Sequence, residues 1–325
     1  MEVTLYGTRG STAISGKDSI QYGGNTTCVR VESSALPRGM WLAIDAGTGF
    51  IPFSRDFLRN GGEVLSLLFS HWHHDHTQGF PLSPLPYMRH IPLTLYGPQE
   101  HGIGGKKVYE TIMKPPLFPV PFEEVASHLD FVDIRLPTTL VLTIHPEGGV
   151  KTIALDDFQH VVARKNGQFP FGLGYQYPLE ECLIIKMHKS NHPEKTISYR
   201  FEDGPTGSVF VFVTDHENQD AIPASILEHV KDADLLIMDC QYTRERYDTR
   251  TAGWGHATPD YVAQVAQRAG AKKLGLTHHD PFSTDTQIDE IVQTVREALK
   301  DTNIEVFGCH DYEVVPILAH SVIPA

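Results

Sequence analysis

The sequence predicts an α/β protein of two halves packed sheet to sheet, and three features carry that expectation. Short apolar runs bounded by glycine turns come first and helical patterns follow, and this order occurs twice. No linker-like stretch separates the halves, roughly 1–150 and 151–325, so one domain spanning 1–325 is expected. With 41% hydrophobic and 21% charged residues in 325, the chain has ordinary globular composition, which excludes disorder, collagen-like repeats and a coiled coil.

In the first half, residues 3–7, 27–32, 40–45 and 93–96 read as strands, the third ending in Asp45-Ala46-Gly47-Thr48-Gly49. Residues 64–70 are apolar but too few for a helix, so they read as a buried strand that runs directly into His71. Pro115-Pro116-Leu117-Phe118-Pro119-Val120-Pro121 cannot form regular structure and is taken as a surface connection, with an apolar pocket wall as the sharper alternative. In the second half, residues 183–187, 196–201, 208–214, 234–239 and 274–277 read as strands. Thr258-Pro259-Asp260 starts a helix with a capping hydroxyl, a proline in the first turn and an acid at the positive dipole end. Val262, Val265, Ala266 and Ala269 share one face of it and Gly270 closes it. A last helix is expected from about 285 to 301, with Ile288, Ile291, Val292, Val295 and Leu299 at helical spacing.

Forty acidic against 27 basic residues leave a net charge of −13, which disfavours a sequence-independent nucleic-acid binder. A small anionic substrate stays open, because bound metal ions can invert the local sign. Cys28, Cys182, Cys240 and Cys309 are scattered with no C-x-x-C pair, against both a disulfide scaffold and a cysteine zinc ribbon. The opening Met1-Glu2-Val3-Thr4-Leu5-Tyr6 lacks the features of a signal peptide, and no apolar run approaches a membrane span, so a cytoplasmic protein is expected.

Histidine is the outlier, with eighteen residues, several of them clustered. In His71-x-His73-x-Asp75-His76, alternate residues leaving a strand point the same way, so His71 and His73 can share one ion. A turn after them lets Asp75 and His76 face a second. Imidazole with carboxylate suits zinc, manganese or iron rather than calcium. A solvated polar loop is the plain alternative, but four liganding side chains within six residues, directly after an apolar strand, argue against it. Further ligands should come from other strand ends. His192, Asp215 and His278 have that setting, although His279 sits beside His278.

These residues carry a resemblance. The chain resembles a metallo-β-lactamase-fold hydrolase of the branch holding ribonuclease Z and the small-molecule cyclic phosphodiesterases. Gly7-Thr8-Arg9-Gly10-Ser11, Gly23-Gly24-Asn25-Thr26-Thr27, Asp45-Ala46-Gly47, the H-x-H-x-D-H core, His192, Asp215 and His278 match in order, over nearly the whole chain. The resemblance implies an αββα sandwich with a dinuclear site at the sheet edges. It implies that His71, His73 and His192 bind one metal and Asp75, His76 and His278 the other, with Asp215 bridging. It selects His278 over His279 and leaves His74 outside. The cofactors implied are two divalent ions, zinc first, with manganese or iron as alternatives.

Gly253-Trp254-Gly255-His256-Ala257-Thr258 resembles the segment in which the phosphodiesterase branch keeps a histidine that protonates the leaving group, and Asp239 matches its acidic partner. The plain alternative is a histidine in an N-cap turn. The implied reaction is attack on phosphorus by a metal-bridging hydroxide, with His256 as general acid, Asp239 holding it and Asp75 at the metals. With no lysine-arginine stripe, a small cyclic nucleotide or cyclic ribose phosphate is favoured over a long nucleic acid. A tRNA 3′-processing endonuclease is the alternative within the branch. A lactonase or thioesterase has no need of the His256–Asp239 pair, and a non-catalytic sensor should lack a ligand. The resemblance allows a homodimer. Residues 151–177, rich in Phe and Tyr, could stack a base, but a hairpin with its own aromatic cluster is preferred. Arg9 could meet a phosphate or make a structural ion pair. Gly102-Ile103-Gly104-Gly105-Lys106-Lys107 lacks P-loop spacing.

Overall fold

A computed structural model describes residues 1–136, 140–164, 167–172 and 174–318. In chain order its strands are β1 (Glu2–Gly7), β2 (Cys28–Glu32), β3 (Met40–Ile44), β4 (Val64–Leu68), β5 (Leu93–Pro98), β6 (Leu129–Ile134), β7 (Leu140–His145), β8 (Gly149–Ala154), β9 (Gln168–Gly172), β10 (Tyr175–Pro178), β11 (Leu183–Lys189), β12 (Ile197–Asp203), β13 (Ser208–Val213), β14 (Leu235–Asp239), β15 (Lys273–Thr277), β16 (Glu305–Gly308) and β17 (Glu313–Pro316). Each apolar run in the sequence became a strand, while β6, β7, β8, β16 and β17 escaped the pattern.

Among the described residues, one sheet has the order β17-β1-β2-β3-β4-β5-β6 and another β16-β15-β14-β13-β12-β11-β7-β8, with β9 and β10 a separate hairpin. The first sheet therefore hands over between Ile134 and Leu140, earlier than the expected division near residue 150. β17 then returns to pair with β1, Val3 facing Val315.

The central strands are apolar along their length because both faces are covered, and alternate residues go to different cores. Leu42 and Ile44 join Phe210, Phe212, Leu235 and Ile237 in one cluster drawn from both sheets. Their neighbours Trp41 and Ala43 instead meet Phe50, Phe53 and Phe57 of the helix Phe50–Arg59. Val211, Val213, Leu236 and Met238 meet the helices Pro259–Ala269 and Asp285–Ala298 on the far side. The result is four layers, helix-sheet-sheet-helix, which is the αββα sandwich.

Local details differ from expectation in instructive ways. Thr258 does not cap its helix: its hydroxyl donates to Asp260 Oδ1 at 2.8 Å, and Asn218 Nδ2 donates to it at 3.0 Å. Gly270 does close that helix, at φ +73°. The last helix ends at Ala298, and it starts on a capping box of Thr284 and Gln287. In the proline-rich connection Leu117 is exposed and Phe118 packs partly on the outer cluster of the first sheet. Phe158 and Phe169 anchor a small cluster of their own, joined by Phe171. Tyr177 stacks on His145 at 3.6 Å, by the Leu183 end of β11, away from the Lys189 end that leads to His192. No helix among the described residues is long and apolar enough to cross a membrane.

Candidate metal centre

β13, β14 and β15 run parallel, so Asp215, Asp239 and His278 emerge at or just past their carboxyl ends on one edge of the second sheet. β4 supplies His71 from the first sheet. A single turn, His74–Thr77, swings Asp75 and His76 inward while His73 and His74 stay exposed. Asp45, Asp215 and His278 take left-handed backbone conformations, φ +59°, +47° and +61°, each just beyond a strand. Non-glycine residues there are uncommon and mark places where the tertiary structure dictates the turn.

All seven expected ligands converge. Asp215 lies between two groups: its Oδ2 is 3.5 Å from His71 Nε2 and 3.7 Å from His192 Nε2, and its Oδ1 is 3.3 Å from both His76 Nε2 and His278 Nε2. Asp75 Oδ2 sits 3.3 Å from His76 Nε2 and 3.2 Å from His278 Nε2. His71, His73, His192 and Asp215 form one set able to hold an ion, and Asp75, His76 and His278 another. Asp215, His256 and His278 form a third combination within the same reach.

The donor chemistry fits divalent metal. Ligands about 2.0–2.1 Å from a tetrahedral zinc lie about 3.3 Å apart, the spacing found among these atoms. His71 Nε2 is buried without a hydrogen-bond partner, and an orphaned buried polar atom is costly unless something else engages it. Burial holds His71 well below the ordinary histidine range, with its lone pair free. Burial alone would also lower His278, but Asp215 and Asp75 outweigh it and raise the group to about 9. Desolvation pushes Asp75 and Asp215 up, yet the histidines around them hold both well below the usual carboxylate range. Two buried anions among histidines make a site that attracts positive charge.

The rings are aimed from behind. His76 Nδ1 is 2.8 Å from Asp45 Oδ2, and Asp45 also accepts from Ser70 N and Ser70 Oγ, both at 2.7 Å. His71 Nδ1 is 3.0 Å from Ser70 Oγ, and His192 Nδ1 is 3.1 Å from Thr196 Oγ1. Ser11 N donates to Asp75 Oδ2 at 2.7 Å. Such partners fix tautomer and orientation. In the sequence Asp45 reads only as a strand end, Ser70 only as a serine near histidines with no sign of being a nucleophile, and Thr196 only as the start of a strand; none of these settings signals the ring each one aims.

His279 turns away: its Nε2 is 2.8 Å from Cys309 O, and burial lowers it to about 3. Arg9 is structural. Its Nε donates to Gly23 O at 2.9 Å, and its Nη1 donates to Asp280 O at 3.0 Å and Ser283 O at 2.8 Å. It thereby braces the loop that follows His278. Gly10 is required by proximity, since a Cβ there would lie 2.4 Å from His278 Nδ1. His256 Nδ1 is 2.9 Å from Asp239 Oδ2, and its ring stacks on His278 at 4.9 Å.

Comparison with known proteins agrees with this fold. Residues 156–279 match the beta-lactamase superfamily domain. A ribonuclease Z of Haloarcula marismortui is 28% identical over 315 residues, 92% of each chain. The metallo-beta-lactamase fold protein YhfI of Bacillus subtilis superposes with a TM-score of 0.61 at 18% identity, covering 97% of this chain and 99% of that one. Unliganded yeast PDE1 gives 0.61 at 13% identity, covering 98% and 99%. Fold and donor set together define a metallo-β-lactamase-fold protein, a metal-dependent hydrolase. Within that fold the chain is similar over its full length to the Haloarcula ribonuclease Z, and it shares its architecture with yeast PDE1.

Proposed function

We propose that the chain hydrolyses a small anionic phosphodiester, a cyclic nucleotide or cyclic ribose phosphate, as a single domain. The observation that carries this reading is the His256–Asp239 pair, 2.9 Å apart and stacked against His278. Asp239 occupies Nδ1, which leaves Nε2 of His256 to carry a proton to an oxygen leaving at the cluster. Phosphodiesters with alkoxide leaving groups need that proton; activated acyl substrates do not.

His71, His73 and His192 would hold one divalent ion and Asp75, His76 and His278 the other, with Asp215 shared. Zinc, or manganese or iron, would supply Lewis acidity at the phosphoryl oxygens and activate water for attack. The chain's own part is positioning. Asp45 and Ser70 keep His76 and His71 in register, Asp239 sets the tautomer of His256, and the buried donors keep the site polar yet shielded from solvent. Hydrolysis adds water across the P–O bond, and the His256 proton ends on the departing oxygen.

Nearby cations support a small substrate. Arg246 pairs with Asp280, and Arg244 with Asp260 and Asp248, so these two arginines are already neutralised and offer little to a long phosphate backbone. A second reading, tRNA 3′ processing, is favoured by the Haloarcula relative's name and its full-length match, and it weighs against dismissing long nucleic acids. The test is hydrolysis of bis(p-nitrophenyl) phosphate by zinc- and manganese-loaded protein, beside Asp215→Ala, His256→Ala and a precursor tRNA. Turnover that Asp215→Ala abolishes and His256→Ala largely keeps supports phosphodiester chemistry, because nitrophenolate needs little protonation. Specific 3′ cleavage of the precursor would put the second reading first, and no turnover of either substrate would sink both.

A further inference from the structure

Two glycines shape the loop that carries His256. Gly253 and Gly255 sit at φ +89° and +93°, and Trp254 between them is 59% exposed. Glycines in this region make a backbone pliable, while a proton donor must stay within hydrogen-bond reach of one oxygen. Asp239 secures only one ring nitrogen, not the backbone.

Glu217 supplies what is missing. Its Oε1 accepts from Gly253 N and from the Tyr247 hydroxyl at 2.7 Å, and its Oε2 accepts from Gly255 N at 2.9 Å. Asn218 follows: Thr258 N donates to its Oδ1 at 3.1 Å, and its Nδ2 donates to Thr258 Oγ1. Both flanks of His256 are therefore tied to one dipeptide. That dipeptide starts two residues after Asp215, and it is anchored on its other side. Glu217 N donates to Asn191 O at 2.7 Å, and Asn191 Nδ2 returns a bond to Glu217 O at 3.1 Å, one residue before His192.

We propose that Glu217, helped by Asn218, is the positioning residue for His256, locking the proton-donor loop to the strand end that bears Asp215. This rests on reading His256 as the proton donor. Glu217 acts through that histidine and touches no reacting atom. The competing view is that its carboxylate only satisfies loop amides and stabilises the fold.

Leaving-group dependence separates the two. Glu217→Gln keeps the shape but presents one oxygen and an amide nitrogen that cannot accept, so at least one loop bond is lost. On zinc-loaded protein, rates are measured for aryl methyl phosphodiesters that release 4-nitrophenol or unsubstituted phenol. The expected loss for Glu217→Gln is within about threefold for nitrophenol and about 30-fold for phenol, inside the range of general-acid contributions. Metal content should be unchanged, and Glu217→Gln/His256→Ala should be no slower than His256→Ala alone. Asn218→Ala should steepen the dependence less, and it decides the matter if Glu217→Gln misfolds. Equal losses on both esters, or losses that multiply in the double variant, overturn the assignment. If His256→Ala steepens the dependence and Glu217→Gln does not, only the clamp falls. If His256→Ala itself loses equally on both, the proton-donor reading falls and takes the clamp with it.

Discussion

Asp45→Asn isolates the support behind the candidate metal centre. Asparagine keeps the shape and tolerates the left-handed conformation found at φ +59°, so the backbone need not move. What changes is acceptor count. Asp45 accepts three bonds, from Ser70 N and Ser70 Oγ at 2.7 Å each and His76 Nδ1 at 2.8 Å, and it is fully buried. Asn has one acceptor oxygen, so in either amide orientation the Ser70 amide or His76 Nδ1 loses its acceptor. Leaving one buried donor unpaired costs about 1–3 kcal/mol, and that much loss is expected in the metal-free protein by urea denaturation. Loss of the carboxylate behind a metal-binding histidine typically weakens binding about 10–100-fold. Competition with a chromophoric chelator should show a drop of that size for the weaker of the two ions. Unchanged denaturation and unchanged affinity together would refute the claim that Asp45 orients His76.

Three further outcomes follow from the geometry. Gly255→Ala places a Cβ 2.1 Å from His192 Cδ2 at φ +93°; the strain alone is about 1–2 kcal/mol, and both stability and metal content should fall, so a wild-type melting curve with full metal occupancy would be the contrary result. Burial outweighs the bonds from Asn25 N and Gly24 N and raises Asp311 to about 6. The folded state then holds a proton that the unfolded chain releases near 4, and stability should decline as pH rises from about 4 to 6, by about 3 kcal/mol at most. Asp311→Asn should flatten that slope, and an identical slope in the variant would count against it. Phe210, fully buried in the cluster shared by both sheets, should cost about 3–5 kcal/mol as Phe210→Ala. The loss should appear as a shift of one unfolding transition; two separable transitions would contradict the single-domain proposal.

Much of this architecture was legible in the chain itself, because the signals are local. A strand buried on both faces must be apolar at nearly every position, and β4, β13 and β14 are. The spacing of His71, His73, Asp75 and His76 encodes an extended exit followed by one helical turn, which needs no distant partner to be read. Polar residues directly after such strands, at 192, 215 and 278, stood out for the same reason.

Other features depended on the order and register of the strands, to which local propensity is blind. Asp45 reaches His76 across 31 residues, Ser11 reaches Asp75 across 64, and Glu217 reaches Gly255 across 38. β17 pairs with β1 only because the chain's two ends meet in one sheet. The Thr258 hydroxyl left its helix because folding brought Asn218 and its own neighbour Asp260 within reach. His278 and His279 are equivalent in composition, and the turn at φ +61° sends one to the cluster and the other to Cys309 O. Sequence determined which donors the chain offers and on which elements they end; tertiary structure decided which hydrogen-bond partner aims each one, since a directional bond exists only once both strands are in place.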